Sequence, residues 1–156
     1  SANLPVAVIA GSRDDGTAFG VGVHRSDTPL QWAPAGTTGC TTPFTEMMCT
    51  DSSTGDTDGS DNWDVICTHD AQGAGDAAEN YPAFHFINTY ALTYGLPESY
   101  TSGWYMPSIA ELCTVYENRA VINTSLQKIH ELDRSASMDG LGTNWYWASV
   151  PIRQSR

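Results

Sequence analysis

Five aspartates fall within one short segment of the chain and could together hold a hard cation; they are Asp51, Asp56, Asp58, Asp61 and Asp64. Asp56, Asp58 and Asp61 are closely spaced around Gly59, as carboxylate ligands of Ca²⁺ are around a tight turn. The segment lacks the register and the final Glu of an EF-hand loop. Two interpretations stay open: a bound Ca²⁺ ion, or a solvated turn whose carboxylates accept hydrogen bonds from their own backbone.

Aromatic side chains form a second candidate group: Trp104, Tyr105, Trp145, Tyr146 and Trp147. Such rings can stack on sugars or on cationic ligands, and the alternative is that they pack in the core. Alternation along a strand at 145–147 would bury both tryptophans and turn Tyr146 outward. We therefore predict that Tyr146 and its neighbour Asn144 contact ligand, and that Trp145 and Trp147 are structural.

The sequence offers little that would act as a catalytic site. Cys113 and His130 could be imagined as nucleophile and base, but a thiol on the buried side of a helix is usually inert. No phosphate-binding glycine loop, zinc-protease motif or serine-hydrolase motif occurs. The four cysteines, Cys40, Cys49, Cys67 and Cys113, are even in number and allow disulfides. We expect a Cys49–Cys67 bridge across the acidic segment, and no enzymatic activity.

The charge of the chain restricts its partners. Its 18 acidic residues outnumber 7 Lys and Arg, which gives a net charge of −11, and no Lys or Arg lies between Arg25 and Arg119. A surface of this sign repels phosphate backbones and anionic lipid headgroups, which argues against nucleic acid and direct membrane contact. The low Lys content and the abundance of Thr, Ser, Asn and Gly are common in exported bacterial proteins. We expect a secreted, periplasmic or outer cell-surface location.

Hydrophobic periodicity and local signals predict an α+β chain. Residues 5–10 and 17–23 have the β-branched content of two strands in a hairpin, and a short strand is expected at 30–33. Residues 34–75 are rich in Thr, Ser, Gly and Asp and are predicted to form one long acidic loop.

Two or three helices are predicted after this loop. The first spans residues 82–95, from a proline in its first turn to a terminating glycine. The second begins at Ser108, because Ser108 and Glu111 have the spacing of a capping box, in which hydroxyl and carboxylate satisfy free backbone N–H groups. Leu112 lies on its apolar face. The third spans about residues 124–132.

Three segments carry a resemblance to a known family: Asp58–Trp63 (DGSDNW), Gly103–Leu112 (GWYMPSIAEL) and Asn144–Ser149 (NWYWAS). In this order they resemble a bacterial family of C-type-lectin-fold domains, related to the major tropism determinant of phage and to formylglycine-generating-enzyme-like domains. The amino-acid sequence of these motifs is similar to that of spirochaete surface proteins. The resemblance covers about residues 40–150.

The resemblance implies a C-type-lectin-like fold and a structural role for Trp104, Pro107, Ser108, Glu111 and Leu112. In family members diversified by retroelements, strands that follow the last motif carry the variable, ligand-contacting residues. Here only a short stretch follows that motif, and we expect the C-terminal part of the domain to be missing. An uncovered aromatic strand at 145–149 would then require self-association or a bound C-terminal fragment.

These observations together predict a single, partial C-type-lectin-like domain over residues 1–156. Its expected function is to bind a protein or glycan ligand at a cell surface, with Ca²⁺ as the one candidate cofactor. The alternatives are a non-catalytic structural module of a larger surface protein and, less favoured, a formylglycine-generating-type oxidase.

Overall fold

A computed structural model describes residues 4–13, 15–44, 47, 56–142, 146 and 148–149. Within these ranges the chain is α+β, with one two-stranded antiparallel sheet, eight α-helices and two 3₁₀ turns. The described residues form two compact units. The first takes in those up to Asp27 and those from Glu111 to Tyr146, and the second takes in those from Thr28 to Ala110 and those beyond Tyr146.

The first unit contains the hairpin that the sequence predicts. Its strands are β1 (Ala7–Ser12) and β2 (Ala18–Gly22), paired antiparallel. Val8 faces the core and Ile9 is 72% exposed, as the alternation of a half-buried strand requires. The register shifts after Ile9, which marks a β-bulge in β1.

Two helices complete the first unit: α7 (Ile109–Glu117), whose first residues belong to the second unit, and α8 (Arg119–Leu132). The helix predicted to begin at Ser108 is confirmed, whereas α8 begins at Arg119, ahead of its predicted start near residue 124. Apolar residues of α8 recur at helical spacing and pack with those of the hairpin. The buried core consists of Val8, Ala10, Phe19, Val23, Val115, Ile122, Leu126, Ile129, Ala136 and Met138.

The second unit is built from short helices: α1 (Thr38–Thr41), α2 (Asn62–His69), α3 (Ala71–Gly75), α4 (Ala77–Asn80), α5 (Pro82–Asn88) and α6 (Tyr90–Thr93). The 3₁₀ turns are Gly59–Asp61 and Glu98–Tyr100. The helical stretch predicted at 82–95 is confirmed. It ends at Gly95, which has a φ of 59°, and Leu96 N–H donates to Ala91 O at 2.9 Å, the bond pattern of a Schellman cap. In the part of the chain that the structure describes, no helix is long and apolar enough to cross a membrane.

Two predictions of irregular or extended structure are wrong. Within residues 34–75, expected as one long loop, the chain forms α1, α2 and α3, so the helices outnumber the two or three predicted. Gly73 and Gly75 lower the helix propensity of α3, which hid it from the sequence pattern. The Asp70 side chain offsets this by accepting the Gly73 N–H at 3.0 Å as an N-cap. Residues 30–33 form no strand; Trp32 is instead buried in the core.

The core of the second unit is aromatic. The Trp32 ring centroid lies 5.8 Å from that of Phe44, 5.7 Å from Tyr81 and 5.4 Å from Phe84, all in edge-to-face contact. Trp63 stacks on Phe84 at 5.5 Å. Edge-to-face and offset packing are the favoured arrangements of aromatic pairs, so this cluster fixes helices α2 and α5 against the segment that carries Trp32.

Candidate functional site

Within the described residues, the acidic segment forms a hydrogen-bonded turn. Asp51 lies outside the described residues. Asp58 caps the 3₁₀ turn, since its Oδ1 accepts the Ser60 N–H at 2.9 Å. Asp56 Oδ1 accepts the Asp58 N–H at 3.0 Å, and its Oδ2 accepts the Asn62 side-chain amide. Burial raises the pKa of the Asp56 carboxyl against the lowering effect of these two hydrogen bonds. Asp56 and Asp58 therefore hold the turn together.

The remaining aspartates, Asp61 and Asp64, are exposed. They line a shallow groove of about 240 Å³ along α2, together with Val65, Thr68 and His69. This volume is below the roughly 300–1,000 Å³ of typical small-molecule pockets. Among the described residues, no three His, Cys, Asp or Glu side chains are grouped so that they could hold a metal ion. Calcium binding by the segment stays a prediction.

Parts of the three motif segments meet in one buried place, which we call the motif junction: Gly59, Asn62, Pro107, Ser108 and Ser149. The Asn62 amide donates to Ser149 Oγ at 2.8 Å, and Ser149 N–H donates to Pro107 O at 2.7 Å. Asn62 is 2% exposed, and both serines are fully buried. Residues far apart in the sequence are thus joined by buried hydrogen bonds, which are costly to leave unmade.

Gly59 is required at the junction because the backbone of the second motif passes directly over it. A Cβ at this position would collide with Met106 O, and it would lie 2.6 Å from Ser108 N and 2.8 Å from the Pro107 carbonyl carbon. All three are backbone atoms, which a rotamer change cannot move away. The glycine of the DGSDNW motif is explained by this close approach.

Glu111 has a long-range partner besides its place in the first turn of α7. It is 3% exposed, and its Oε1 accepts a hydrogen bond from Arg13 Nε at 3.0 Å, an ion pair within the first unit. Sequence spacing suggested a local capping role and gave no sign of this pairing. Leu112 is only half-buried, so the more deeply buried of the two neighbours is the charged one.

Some of the aromatic candidates lie within the described residues and others lie outside them. Trp104 is half-buried; its Nε1 donates to Tyr100 O at 2.8 Å, and its ring lies 4.4 Å from that of Tyr90. Tyr146 is 42% exposed, and its Oη accepts the Gly142 N–H at 3.0 Å. Asn144, Trp145 and Trp147 lie outside the described residues, so their predicted roles, and the self-association argued from the aromatic strand, stay predictions.

A buried carboxylate that the sequence did not single out organises the helices of the second unit. Asp70 Oδ2 accepts the hydroxyls of Thr38 at 2.6 Å and of Tyr81 at 2.7 Å, while Oδ1 accepts the Gly73 N–H. Burial by itself would raise the pKa of Asp70, but these hydrogen bonds outweigh it and the pKa lies below its ordinary value. Burial and the Asp70 carboxylate raise the pKa of Tyr81. The sequence signal that could have indicated this role is the spacing of Asp70 and Gly73, which suits an N-cap that accepts the N–H three residues later.

The described cysteines do not follow the predictions. Cys67 is a free cysteine, at odds with the expected Cys49–Cys67 bridge, and Cys49 lies outside the described residues. Burial raises the pKa of the Cys67 thiol. Cys113 is exposed rather than buried, because it lies on the solvent side of α7. His130 Nδ1 is 2.7 Å from Ala136 O, so the ring contacts the segment that follows α8.

The buried polar side chains Asn62, Asp70 and Glu111 are each engaged by other groups of the protein. Exposed carboxylates and partly exposed aromatic rings remain at the surface. Comparison with protein-family models, curated proteins and solved structures gives no match to this chain.

Proposed function

We propose that this chain is a non-catalytic, C-type-lectin-like binding domain that is displayed outside the cell and recognises a protein or glycan ligand. The observation that carries the proposal is the motif junction. Asn62 of the first motif donates a hydrogen bond to Ser149 of the third, and Ser149 N–H donates to Pro107 O of the second. If the separate motifs of a family signature build one scaffold, they are expected to contact one another in the interior.

The surface gives the second line of support. Binding residues are usually found on loops and exposed side chains carried by a packed framework, and the described part of the chain has both. Tyr146, predicted from the alternation of its segment to contact ligand, is among the exposed large side chains at 42%. An aromatic ring with a hydroxyl suits recognition, because it supplies contact area at a low cost in conformational entropy.

A binding screen tests the proposal. The chain would be labelled and applied to arrays of extracellular glycoproteins and of glycans, and saturable binding to at least one member is expected. Tyr146→Ala should then weaken that binding, whereas Tyr116→Ala, at a tyrosine that is 64% exposed on α7, should not. If nothing binds above background, the alternative of a structural module in a larger surface protein is correct.

Thiol labelling would not test the oxidase alternative. Cys40 and Cys113 are exposed and will react with an alkylating reagent whatever the function of the protein. Copper-dependent consumption of oxygen in the presence of a cysteine-containing peptide is the sharper measurement. We expect none, and copper-dependent turnover would contradict the non-catalytic assignment.

A further inference from the structure

Asn123, in the first half of α8, makes two hydrogen bonds to a segment far along the chain. Its Nδ2 donates to Leu141 O at 3.1 Å, and its Oδ1 accepts the Leu141 N–H at 2.6 Å. The side-chain amide thus pairs with both backbone groups of one residue, as a neighbouring strand would. This pairing also determines which end of the amide is the nitrogen, because the backbone N–H can only donate and the carbonyl can only accept.

The pairing gives a reason for an asparagine inside this helix. Asparagine has a low helix propensity, because its amide competes for backbone hydrogen bonds. Asn123 is half-buried, and a Cβ on Gly140 would lie 3.4 Å from its Cγ, so the backbone before Leu141 lies directly against the amide. The two hydrogen bonds to Leu141 offset the cost of the residue in the helix.

The backbone of residues 138–142 is held at further points in the first unit. Met138 N–H donates to Val23 O at 3.0 Å, and Met138 is only 5% exposed. The Leu141 side chain packs against the core of the same unit. The chain is therefore fixed on both sides of residues 139 and 140, and the Gly142 N–H that follows has a defined position.

The hydroxyl of Tyr146 is attached to this fixed backbone. Its Oη accepts the Gly142 N–H at 3.0 Å at the protein surface, where Tyr146 is 42% exposed. A phenol has one O–H to donate besides the lone pairs with which it accepts. Because Gly142 occupies the accepting side of the oxygen, the O–H is directed away from Gly142 and is left for donation.

The charge of the chain restricts the acceptor that would receive this hydrogen bond. The net charge of −11 repels anionic groups such as phosphate and carboxylate. Neutral oxygen atoms, in sugar hydroxyls and ethers or in peptide carbonyls, are not repelled. They are the acceptors that a donor on this surface would meet at the lowest electrostatic cost.

We propose that Asn123 is a positioning residue for recognition: through Leu141 and Gly142 it presents the Tyr146 hydroxyl as a hydrogen-bond donor to a neutral oxygen of the ligand. The proposal rests on the assignment of this chain as a binding domain that contacts its ligand with Tyr146. Sugar oxygens and peptide carbonyls share the required chemistry. Arrays of free glycans and of enzymatically deglycosylated glycoproteins distinguish these two sources.

Amide hydrogen exchange of the full chain, measured by NMR, tests the positioning. Tyr146→Phe removes the acceptor oxygen, so Gly142 N–H should exchange about tenfold faster while Leu141 N–H is unchanged. Asn123→Ala should accelerate both amides by about tenfold, because the Gly142 bond depends on the position of Leu141. Asn123→Asp keeps an acceptor for Leu141 N–H and should accelerate them less. Gly142 exchange that does not respond to Asn123→Ala would overturn the positioning role.

Binding to the two arrays tests the donor role. For array members bound by the unchanged chain, Tyr146→Phe, which keeps the ring, and Asn123→Ala should each raise the Kd about tenfold. Gln127→Ala, at an exposed residue of α8, is the matched control and should leave both the Kd and the amide exchange unchanged. Near-ultraviolet circular dichroism verifies that each variant is folded.

The outcomes separate this proposal from the one on which it rests. If Tyr146→Ala weakens binding and Tyr146→Phe does not, the hydroxyl is not the donor; the proposal is then overturned and the binding-domain assignment stands. If no array member binds the unchanged chain, both are overturned.

Discussion

At the scale of single residues, burial and close packing at the motif junction explain why these residue types occur in the motifs. Backbone of residues 106–108 passes directly over Gly59. Asn62 donates one hydrogen bond to Asp56 within the acidic turn and a second, in the interior, to Ser149 of another segment. The same residue types in a solvated turn would tolerate replacement. Burial and close approach make them specific here.

Gly59→Ala tests the close approach. The added Cβ would meet backbone atoms of residues 106–108, so we expect a loss of stability of about 2 kcal/mol, in the range of overpacking changes. The matched control is Gly75→Ala at the end of α3, where nothing lies within 4 Å of a Cβ. There we expect no loss, or a gain of about 0.5 kcal/mol. Urea denaturation measures both, and equal effects of the two changes would refute the packing described for Gly59.

Asp70 gives the stability of the chain a pH dependence. Its pKa is lower in the folded chain than the ordinary value of about 3.9, so its contribution is fully present above that value and is lost as pH falls through the folded pKa. We expect Asp70→Asn to cost about 1–3 kcal/mol at neutral pH, because the amide nitrogen cannot accept the hydroxyls. The difference between the two proteins should shrink below about pH 4. Asp76→Asn, at an exposed carboxylate, is the control, and a difference independent of pH would contradict the assignment.

At the scale of elements, α7 buries a charged residue more deeply than its apolar neighbour. Periodicity alone ranks Leu112 above Glu111, whereas the structure buries Glu111 against Arg13 and leaves Leu112 half-buried. We expect Glu111→Ala to cost about 3 kcal/mol, as for other buried pairs from which one partner is removed. Leu112→Ala should cost less, and Glu117→Ala, at an exposed residue of α7, about 0.5 kcal/mol or less. Chemical denaturation in which Leu112→Ala is the most damaging change would disprove this ranking.

The acidic turn is the element for which the calcium proposal makes a definite prediction. One Ca²⁺ bound there would raise the melting temperature, with stabilisation of about 2.7 kcal/mol at a hundredfold excess over its Kd. Asp61→Asn with Asp64→Asn should remove the effect, and Asp76→Asn should leave it. Calorimetry in millimolar Ca²⁺ and in chelator measures the difference. Equal melting temperatures would mean that the carboxylates serve only the turn, as those of Asp56 and Asp58 do.

Local signals at the element ends predicted a large part of the fold. The proline at 82, the glycine at 95, the serine at 108 and the β-branched residues of the hairpin each favour one local geometry, and the structure has those elements at those places. The signals act within a few residues, so they can be recognised in a sequence. Helix α3 was missed because its glycines argue against a helix, and the Asp70 cap that stabilises it also depends on Thr38 and Tyr81.

At the scale of the whole molecule, what the sequence did not predict is long-range pairing. The contacts of Arg13 with Glu111 and of Asn62 with Ser149 each join residues far apart in the chain, and each lies within one compact unit. No spacing rule connects such residues, because their distance along the chain does not determine their distance in space. The resemblance indicated which segments matter, and the geometry indicates why.

A double-mutant cycle between Asn62 and Ser149 tests most directly whether the separate motif segments form one buried scaffold. Asn62→Ala, Ser149→Ala and the double variant would be compared by urea denaturation of the full chain. The 2.8 Å hydrogen bond between the two side chains predicts a coupling energy of about 0.5–3 kcal/mol, so the double variant should lose less stability than the two single losses added together. Additive losses would show that the two residues do not meet, and the scaffold on which the binding proposal rests would be contradicted.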